Sequence, residues 1–187
     1  MTQENLQIAV FGGGCFWCTE AIFEELRGVI SVMPGYAGGP STGSGQAPTY
    51  EQVCSGITGH AEVTKVEFDS SQISYNDLLT VFFATHDPTT LNRQGNDVGT
   101  QYRSIIFYTN DGQKRDAEDF IKKLNQSGPK IVTEVKHLEN FYPAEEYHHQ
   151  YYLKNTDKPY CQIVINPKLE KLIKDFSKLL KLSKTTT

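Results

Sequence analysis

Gln7-Ile8-Ala9-Val10-Phe11-Gly12-Gly13-Gly14-Cys15-Phe16-Trp17-Cys18 passes from strand chemistry to helix chemistry within a dozen residues. The apolar run Gln7 to Phe11 reads as a short strand, and the three glycines permit a tight turn into a helix beginning near Cys15. Beyond it, Ile22, Phe23 and Leu26 recur at helical spacing, Glu20, Glu24 and Glu25 take another side, and Gly28 fits the helix end. A cysteine at a helix start meets unpaired backbone N–H groups and the positive end of the helix dipole. Its thiolate should be stabilised there and its pKa lowered, which makes Cys15 a candidate nucleophile.

Working outward, Val29 to Val32 is rich in β-branched residues and reads as a second strand, followed by a Gly/Pro/Ser/Thr segment from Pro34 to Thr49 expected to be a loop. Ala61 to Phe68 reads as a strand. Ser74 followed three residues later by Asp77 resembles a capping arrangement ahead of Leu78, Leu79, Phe82 and Phe83, so a helix should run to about Thr85, where Asp87-Pro88 closes it. Tyr102 to Tyr108 reads as a strand, Asp111 to Gln126 as a helix with Ala117, Phe120, Ile121 and Leu124 on one face, and Ile131 to Leu138 as a strand. The order β-α-β-β-α-β at the front of the chain predicts an α+β fold: a two-layer α/β sandwich with a ferredoxin-like βαββαβ core and an added helix and strand. Leu169, Leu172, Ile173, Phe176, Leu179 and Leu180 form an apolar stripe with lysines opposite, which predicts a C-terminal amphipathic helix packed on the domain.

The chain has 187 residues, enough to bury a sizeable core and short for two full domains, so residues 1–187 are expected to form a single domain with a polar N-terminus and frayed residues 184–187. Hydrophobic residues at 38% and charged residues at 21% suit a globular chain and disfavour a disordered one. With 18 Lys and Arg against 22 Asp and Glu, the net charge of −4 does not call for nucleic acid or anionic lipid. No apolar run is long enough to span a bilayer. The start Met1-Thr2-Gln3-Glu4-Asn5-Leu6 lacks the basic and apolar segments of a leader, so a cytoplasmic protein is expected. In that reducing compartment, cysteines are more often catalytic, redox-cycling or buried than permanent staples.

Cys15 and Cys18 form a C-x-x-C, whose first reading is a redox pair, although two bulky aromatics stand between them. A zinc site is disfavoured because no second C-x-x-C or H-x₃₋₅-H follows at a suitable distance. The glycine triplet matches neither dinucleotide-binding nor P-loop patterns. Phe16 and Trp17 offer an aromatic wall for a small apolar group such as a methyl on sulfur. Cys54 reads as a small buried hydrophobe, and His60, His86, His137, His148 and His149 as hydrogen-bonded structural residues.

Gly14-Cys15-Phe16-Trp17, Gly35-Tyr36-Ala37-Gly38-Gly39, Pro48-Thr49-Tyr50, Gly59-His60-Ala61-Glu62, His86-Asp87-Pro88, Gln94 through Ser104, and Ala144-Glu145-Glu146-Tyr147-His148 occur in that order. Together they resemble the A-type peptide methionine sulfoxide reductases over nearly the whole chain. The resemblance implies that Cys15 attacks the sulfoxide sulfur while Glu62, kept protonated by apolar surroundings, supplies a proton to the oxygen. It implies that Tyr50 and Tyr102 hydrogen-bond the sulfoxide oxygen, that Asp97 orients polar groups, and that Phe16 and Trp17 embrace the ε-methyl and select the S epimer of free or protein-bound methionine sulfoxide. It implies a sulfenic acid on Cys15 resolved by a second thiol and recycled by thioredoxin, or by dithiothreitol in vitro, with no bound cofactor, no metal and a monomeric enzyme.

Many members of the family carry recycling cysteines in a glycine-rich tail. This chain instead has Cys18 and no cysteine after Cys161. Cys161 lies near the position of family resolving thiols and is the preferred resolver, with Cys18 the alternative. Two other functions compete: a general disulfide oxidoreductase using Cys15 and Cys18, and a non-enzymatic module that binds methionine side chains in the aromatic pocket.

Overall fold

A computed structural model of the chain describes residues 5–40 and 47–182. The expected fray at 184–187 lies outside the described residues, as do 41–46 of the expected loop. The first strand, β1, spans Leu6–Gly13 and leads into helix α1, Phe16–Glu24. Strands β2 (Val29–Ala37) and β3 (Ala61–Asp69) follow, separated by the short helix α2 (Tyr50–Cys54), then helix α3 (Tyr75–Thr85). A small hairpin, β4 (Arg93–Gln94) with β5 (Asp97–Val98), precedes β6 (Ser104–Tyr108), helix α4 (Asp111–Leu124), β7 (Glu134–His137) and β8 (Phe141–Pro143). The last helices are α5 (Tyr151–Lys154) and α6 (Asn166–Phe176), the latter entered through a π-helical turn at Cys161–Ile165.

The architecture is mixed α/β. Six strands form one sheet in the order β7-β6-β1-β3-β2-β8, antiparallel throughout except for the parallel β6–β7 pair. Alternation along each strand divides the apolar residues between the two faces. Ala9 and Phe11 of β1, Val66 and Phe68 of β3 and Ile106 of β6 face the helices and meet Ile22, Phe23, Leu78 and Phe82 in the main core. Val10, Val63, Ile105 and Phe107 form a smaller cluster on the other face. Glu62 shares the parity of Val66 and Phe68, so it points to the helix side, at the end of β3 where α1 begins. No helix among the described residues is long and apolar enough to cross a membrane.

Several boundaries differ from the sequence expectation. Helix α1 stops at Glu24, and Gly28 follows it with φ +73° ahead of β2. Strand β2 does not stop at Val32 but continues through Pro34 and Gly35 to Ala37. The Pro-Gly pair, ordinarily a loop signal, is used here for close approach, because a Cβ on Gly35 would lie 2.5 Å from the Phe141 ring and from the Tyr142 carbonyl oxygen of β8. Strand β6 starts at Ser104 because Thr100–Tyr102 winds into a 3₁₀ turn, and the expected 131–138 strand shortens to β7. Leu169 and Leu172 of the C-terminal stripe are buried while Ile173 is 57% exposed.

Phe11 is completely buried, with ring centroids 5.2 Å from Phe23, 6.0 Å from Tyr75 and 5.0 Å from Phe82. Phe11→Ala is expected to lower unfolding stability by about 3–5 kcal/mol through lost burial and the cavity left behind. Urea melts check this: the midpoint should fall with the slope unchanged.

Candidate active site

Cys15 is the N-cap of α1, and its half-buried thiol lies beside Cys18, with which it shares a hydrogen bond. The turn that puts it there needs Gly14, whose φ of +94° suits glycine and whose absent Cβ would sit 2.6 Å from the Gln94 side chain. One residue on, the Phe16 backbone N–H, left unpaired by the helix, donates to Glu62 Oε2 at 3.1 Å. The other carboxyl oxygen, Oε1, is buried and has no hydrogen-bond partner among the described residues. Glu62 is 1% exposed, and burial pushes its carboxyl up to about 8, against the lowering effect of the Phe16 N–H, with Asp97 adding to the rise. A carboxyl in this position is neutral and able to donate a proton at pH 7.

The thiols depart from the simple helix-dipole expectation. Burial, the Cys18 partner and the charge of Glu62 hold Cys15 well above the ordinary thiol range, so the expected lowering is overturned. The lowering falls on Cys18 instead: the hydrogen bond from Cys15 brings it to about 7, with Lys168 and the Tyr160 hydroxyl contributing. The two sulfurs therefore titrate as a pair that loses its first proton near neutrality and keeps the second.

Around these groups stands an aromatic cage. Phe16 is 1% exposed, with ring centroids 5.8 Å from Tyr36, 6.5 Å from Tyr50 and 4.9 Å from His148. Trp17 stacks on Tyr151 at 3.6 Å and 6°, and its indole N–H donates to His148 Nδ1 at 3.0 Å. That bond leaves the hydrogen of neutral His148 on Nε2, which faces Glu145 Oε2 at 3.9 Å. Glu145 also accepts from the Tyr36 hydroxyl and the Tyr50 backbone N–H, both at 2.8 Å. Glu20 of α1 ties down the segment carrying His148 and Tyr151, accepting from the Gln150 and Tyr151 N–H groups at 2.7 and 3.3 Å.

Thus the structure brings Cys15, Phe16, Trp17, Glu62, Tyr50 and Tyr102 together, with Tyr102 half-buried and within electrostatic reach of Glu62 and Cys15. Asp97 sits on the hairpin behind the thiols and accepts from the Tyr160 hydroxyl at 3.1 Å. Cys161 is fully buried, and the thiol that perturbs it is Cys18 rather than Cys15. Cys54 is not the buried hydrophobe expected: it is half-buried at the end of α2, its thiol hydrogen-bonded to the Tyr50 hydroxyl.

Sequence reasoning missed Tyr36, Glu145, Tyr151 and Tyr160. Tyr36 had a signal, since a β2–β3 antiparallel pair puts it directly opposite Glu62. The others come from irregular segments whose course no periodicity marks. Among the described residues, no group of three or more His, Cys, Asp or Glu side chains is arranged to hold a metal.

A hydrogen-bonded thiol pair, a neutral carboxyl and an aromatic cage at one end of a sheet define a thiol-dependent enzyme, with more chemistry than a binding pocket needs. The model of the peptide methionine sulfoxide reductase family matches residues 7–180. A peptide methionine sulfoxide reductase MsrA from Saccharolobus solfataricus is 54% identical over 95% of this chain and 98% of its own length. One from Acinetobacter baumannii is 57% identical over 94% and 99%. Among solved structures, reduced Mxr1 from Saccharomyces cerevisiae superposes with a TM-score of 0.76 at 35% identity, covering 85% of this chain and 91% of that one. This chain belongs to the peptide methionine sulfoxide reductase family and is an oxidoreductase that reduces methionine sulfoxide through a thiol.

Proposed function

We propose that the chain reduces the S epimer of methionine sulfoxide, free or in proteins, with Cys15 as nucleophile and Glu62 as acid. The observation that carries this is the neutral, buried Glu62 carboxyl with one oxygen tied to the start of α1 and the other without a hydrogen-bond partner among the described residues. The Cys15 sulfur attacks the sulfoxide sulfur while its proton passes to Cys18, and Glu62 protonates the oxygen. Transfer of that hydroxyl to Cys15 breaks the sulfur–oxygen bond of the substrate, so methionine sulfoxide and a thiol become methionine and a sulfenic acid. Phe16 and Trp17 enclose the ε-methyl. Their fixed position relative to Cys15 and Glu62 gives the cage its handedness. Tyr50 and Tyr102 are neutral phenols suited to hydrogen-bonding the oxygen, and Asp97 orients polar groups.

The sulfenic acid then condenses with Cys18, releasing water and forming a Cys15–Cys18 disulfide. We assign this step to Cys18 in place of the expected Cys161. Support comes from its hydrogen bond to Cys15 and from its position three residues into the helix, where its N–H meets the Cys15 carbonyl at 3.1 Å. A thioredoxin then returns both thiols, consuming no bound cofactor. The fold-sharing yeast Mxr1 has been captured with Trx2. Free thiols at the site suit a reducing compartment such as the cytoplasm. We take residues 1–187 as one domain and the β6-β1-β3-β2 strands with α1 and α3 as a ferredoxin-like core carrying added helices.

The test follows each epimer of N-acetylmethionine sulfoxide with dithiothreitol, then maps thiols by mass spectrometry after one turnover without reductant. The S epimer alone is expected to be consumed, with a Cys15–Cys18 disulfide. Cys18→Ser should still release one methionine per enzyme but lose thioredoxin-driven turnover. No consumption of the S epimer, or a disulfide omitting Cys18, would contradict the corresponding part. Sulfoxide-independent reduction of insulin disulfides would instead favour a general oxidoreductase.

A further inference from the structure

The space next to the thiols has two sides. The cage of Phe16, Trp17, Tyr36, Tyr50, Tyr102 and Glu62 lies on one. On the other, Cys15 and Cys18 line a cavity of ≈730 Å³ together with Asp97, Tyr160 and Lys168, and none of the cage residues lines it. Tyr160 lines this cavity beside both sulfurs. Its ring meets Trp17 edge-on, at 5.7 Å and 80°. Its hydroxyl donates to Asp97 Oδ2 at 3.1 Å and stands 3.8 Å from the Cys18 sulfur.

We infer that the Tyr160 hydroxyl is a positioning group for the resolving step, holding the Cys18 sulfur against Cys15 while Asp97 holds the hydroxyl. This rests on the assignment of Cys18 as resolver. In that step the Cys18 thiolate attacks the Cys15 sulfur, the sulfur–oxygen bond of the sulfenic acid breaks, and hydroxide leaves as water with the proton Cys18 gave up. The attacking sulfur must approach opposite the leaving oxygen, and misplacement by an ångström is enough to slow such a reaction about 10²-fold. One phenol hydrogen is shared among Asp97 and both sulfurs here. With Cys18 protonated it goes to Asp97, and the phenol oxygen can accept the S–H. Once Cys18 is a thiolate, the hydroxyl can turn to it and fix it in line. The Asp97 hairpin and the π-helical turn that begins at Cys161 hold the phenol from two independent segments.

Tyr160→Phe isolates the hydroxyl, since it keeps the ring that packs on Trp17. Fully reduced enzyme is mixed with one equivalent of N-acetyl-methionine-S-sulfoxide and dimedone, quenched at intervals, and assayed for methionine, disulfide and dimedone-trapped Cys15. In the wild type, methionine and disulfide should rise together with little trapped sulfenic acid. In Tyr160→Phe the disulfide should lag methionine by about 10–100-fold, with the adduct accumulating. The pH midpoint for Cys18 alkylation should also rise. Asp97→Asn, which weakens the hold on the phenol, should produce the same lag to a smaller degree. Disulfide formation at the wild-type rate in Tyr160→Phe, without adduct, overturns the inference. So does a raised KM for sulfoxide with no accumulated sulfenic acid, which would put the hydroxyl in the cage. A wild-type disulfide that omits Cys18 is a separate result, and it removes the resolver assignment itself.

Discussion

Cys15→Ser is expected to bring methionine formation down to background, a fall on the order of 10⁴–10⁶-fold by the scale of nucleophile knock-outs. The reason goes beyond a less acidic group. Oxygen passing to a thiol gives a sulfenic acid, a stable enough sulfur–oxygen bond. The same transfer to a serine hydroxyl would have to make an oxygen–oxygen bond, and no arrangement of the cage can compensate for that. The substitution is close to isosteric at a half-buried position, so the fold and the cage should persist. Single-turnover methionine release measures the loss, and a thermal melt checks the fold. The Cys15→Ser protein should still bind the S-sulfoxide, which separates lost chemistry from lost binding. Any turnover above background in this variant would sink the assignment of Cys15.

The proposed nucleophile is legible because its signal is local. Three glycines, a strand before them and a helical apolar pattern after them fix where Cys15 stands without reference to the rest of the chain. Glu62 is different. Its position in β3 predicts only that it shares a face with Val66 and Phe68, and a carboxylate on a strand is ordinarily solvated. Only the motif resemblance singled it out, and only the tertiary structure accounts for its chemistry, through burial and the Phe16 N–H. The Cys15 shift runs against the helix-dipole expectation because the dipole of a helix start can be read from sequence, whereas burial and a neighbouring thiol cannot. Strand β2 runs past its expected end at Val32 for a related reason. Pro34 and Gly35 are breakers in isolation, but an edge strand packing closely against Gly35 turns the missing Cβ into an asset. Tyr160, Tyr151, His148 and Glu145 belong to segments of short turns, where no periodicity announces which side chains converge.

Glu62→Gln should lower the rate of the first methionine-forming turnover by about 10²–10⁴-fold, the usual worth of a positioned general acid. An amide keeps an acceptor for the Phe16 N–H and nearly the same volume, so the cage should survive while the transferable proton is lost. The pH profile makes the claim specific. In the wild type the reaction needs the thiol pair to have lost one proton, which happens at about 7 on Cys18, and Glu62 to have kept its own, which it does up to about 8. The rate should therefore rise through the first value and fall through the second, giving a narrow bell. Glu62→Gln should keep the rising limb and lose the falling one.

Stability should move the opposite way. The Glu62 carboxyl has a folded pKa of about 8, well above its unfolded value. Between the two values the folded state holds a proton that the unfolded state has released, so its contribution is complete at low pH and is lost as pH rises through about 8. The loss is about 1.4 kcal/mol per pH unit across that window. Glutamine carries no such term, so Glu62→Gln should gain thermal stability relative to wild type between pH 5 and pH 8 while losing activity throughout. A variant with wild-type turnover, or one whose rate still falls through pH 8, would mean that the proton reaches the sulfoxide oxygen from another group.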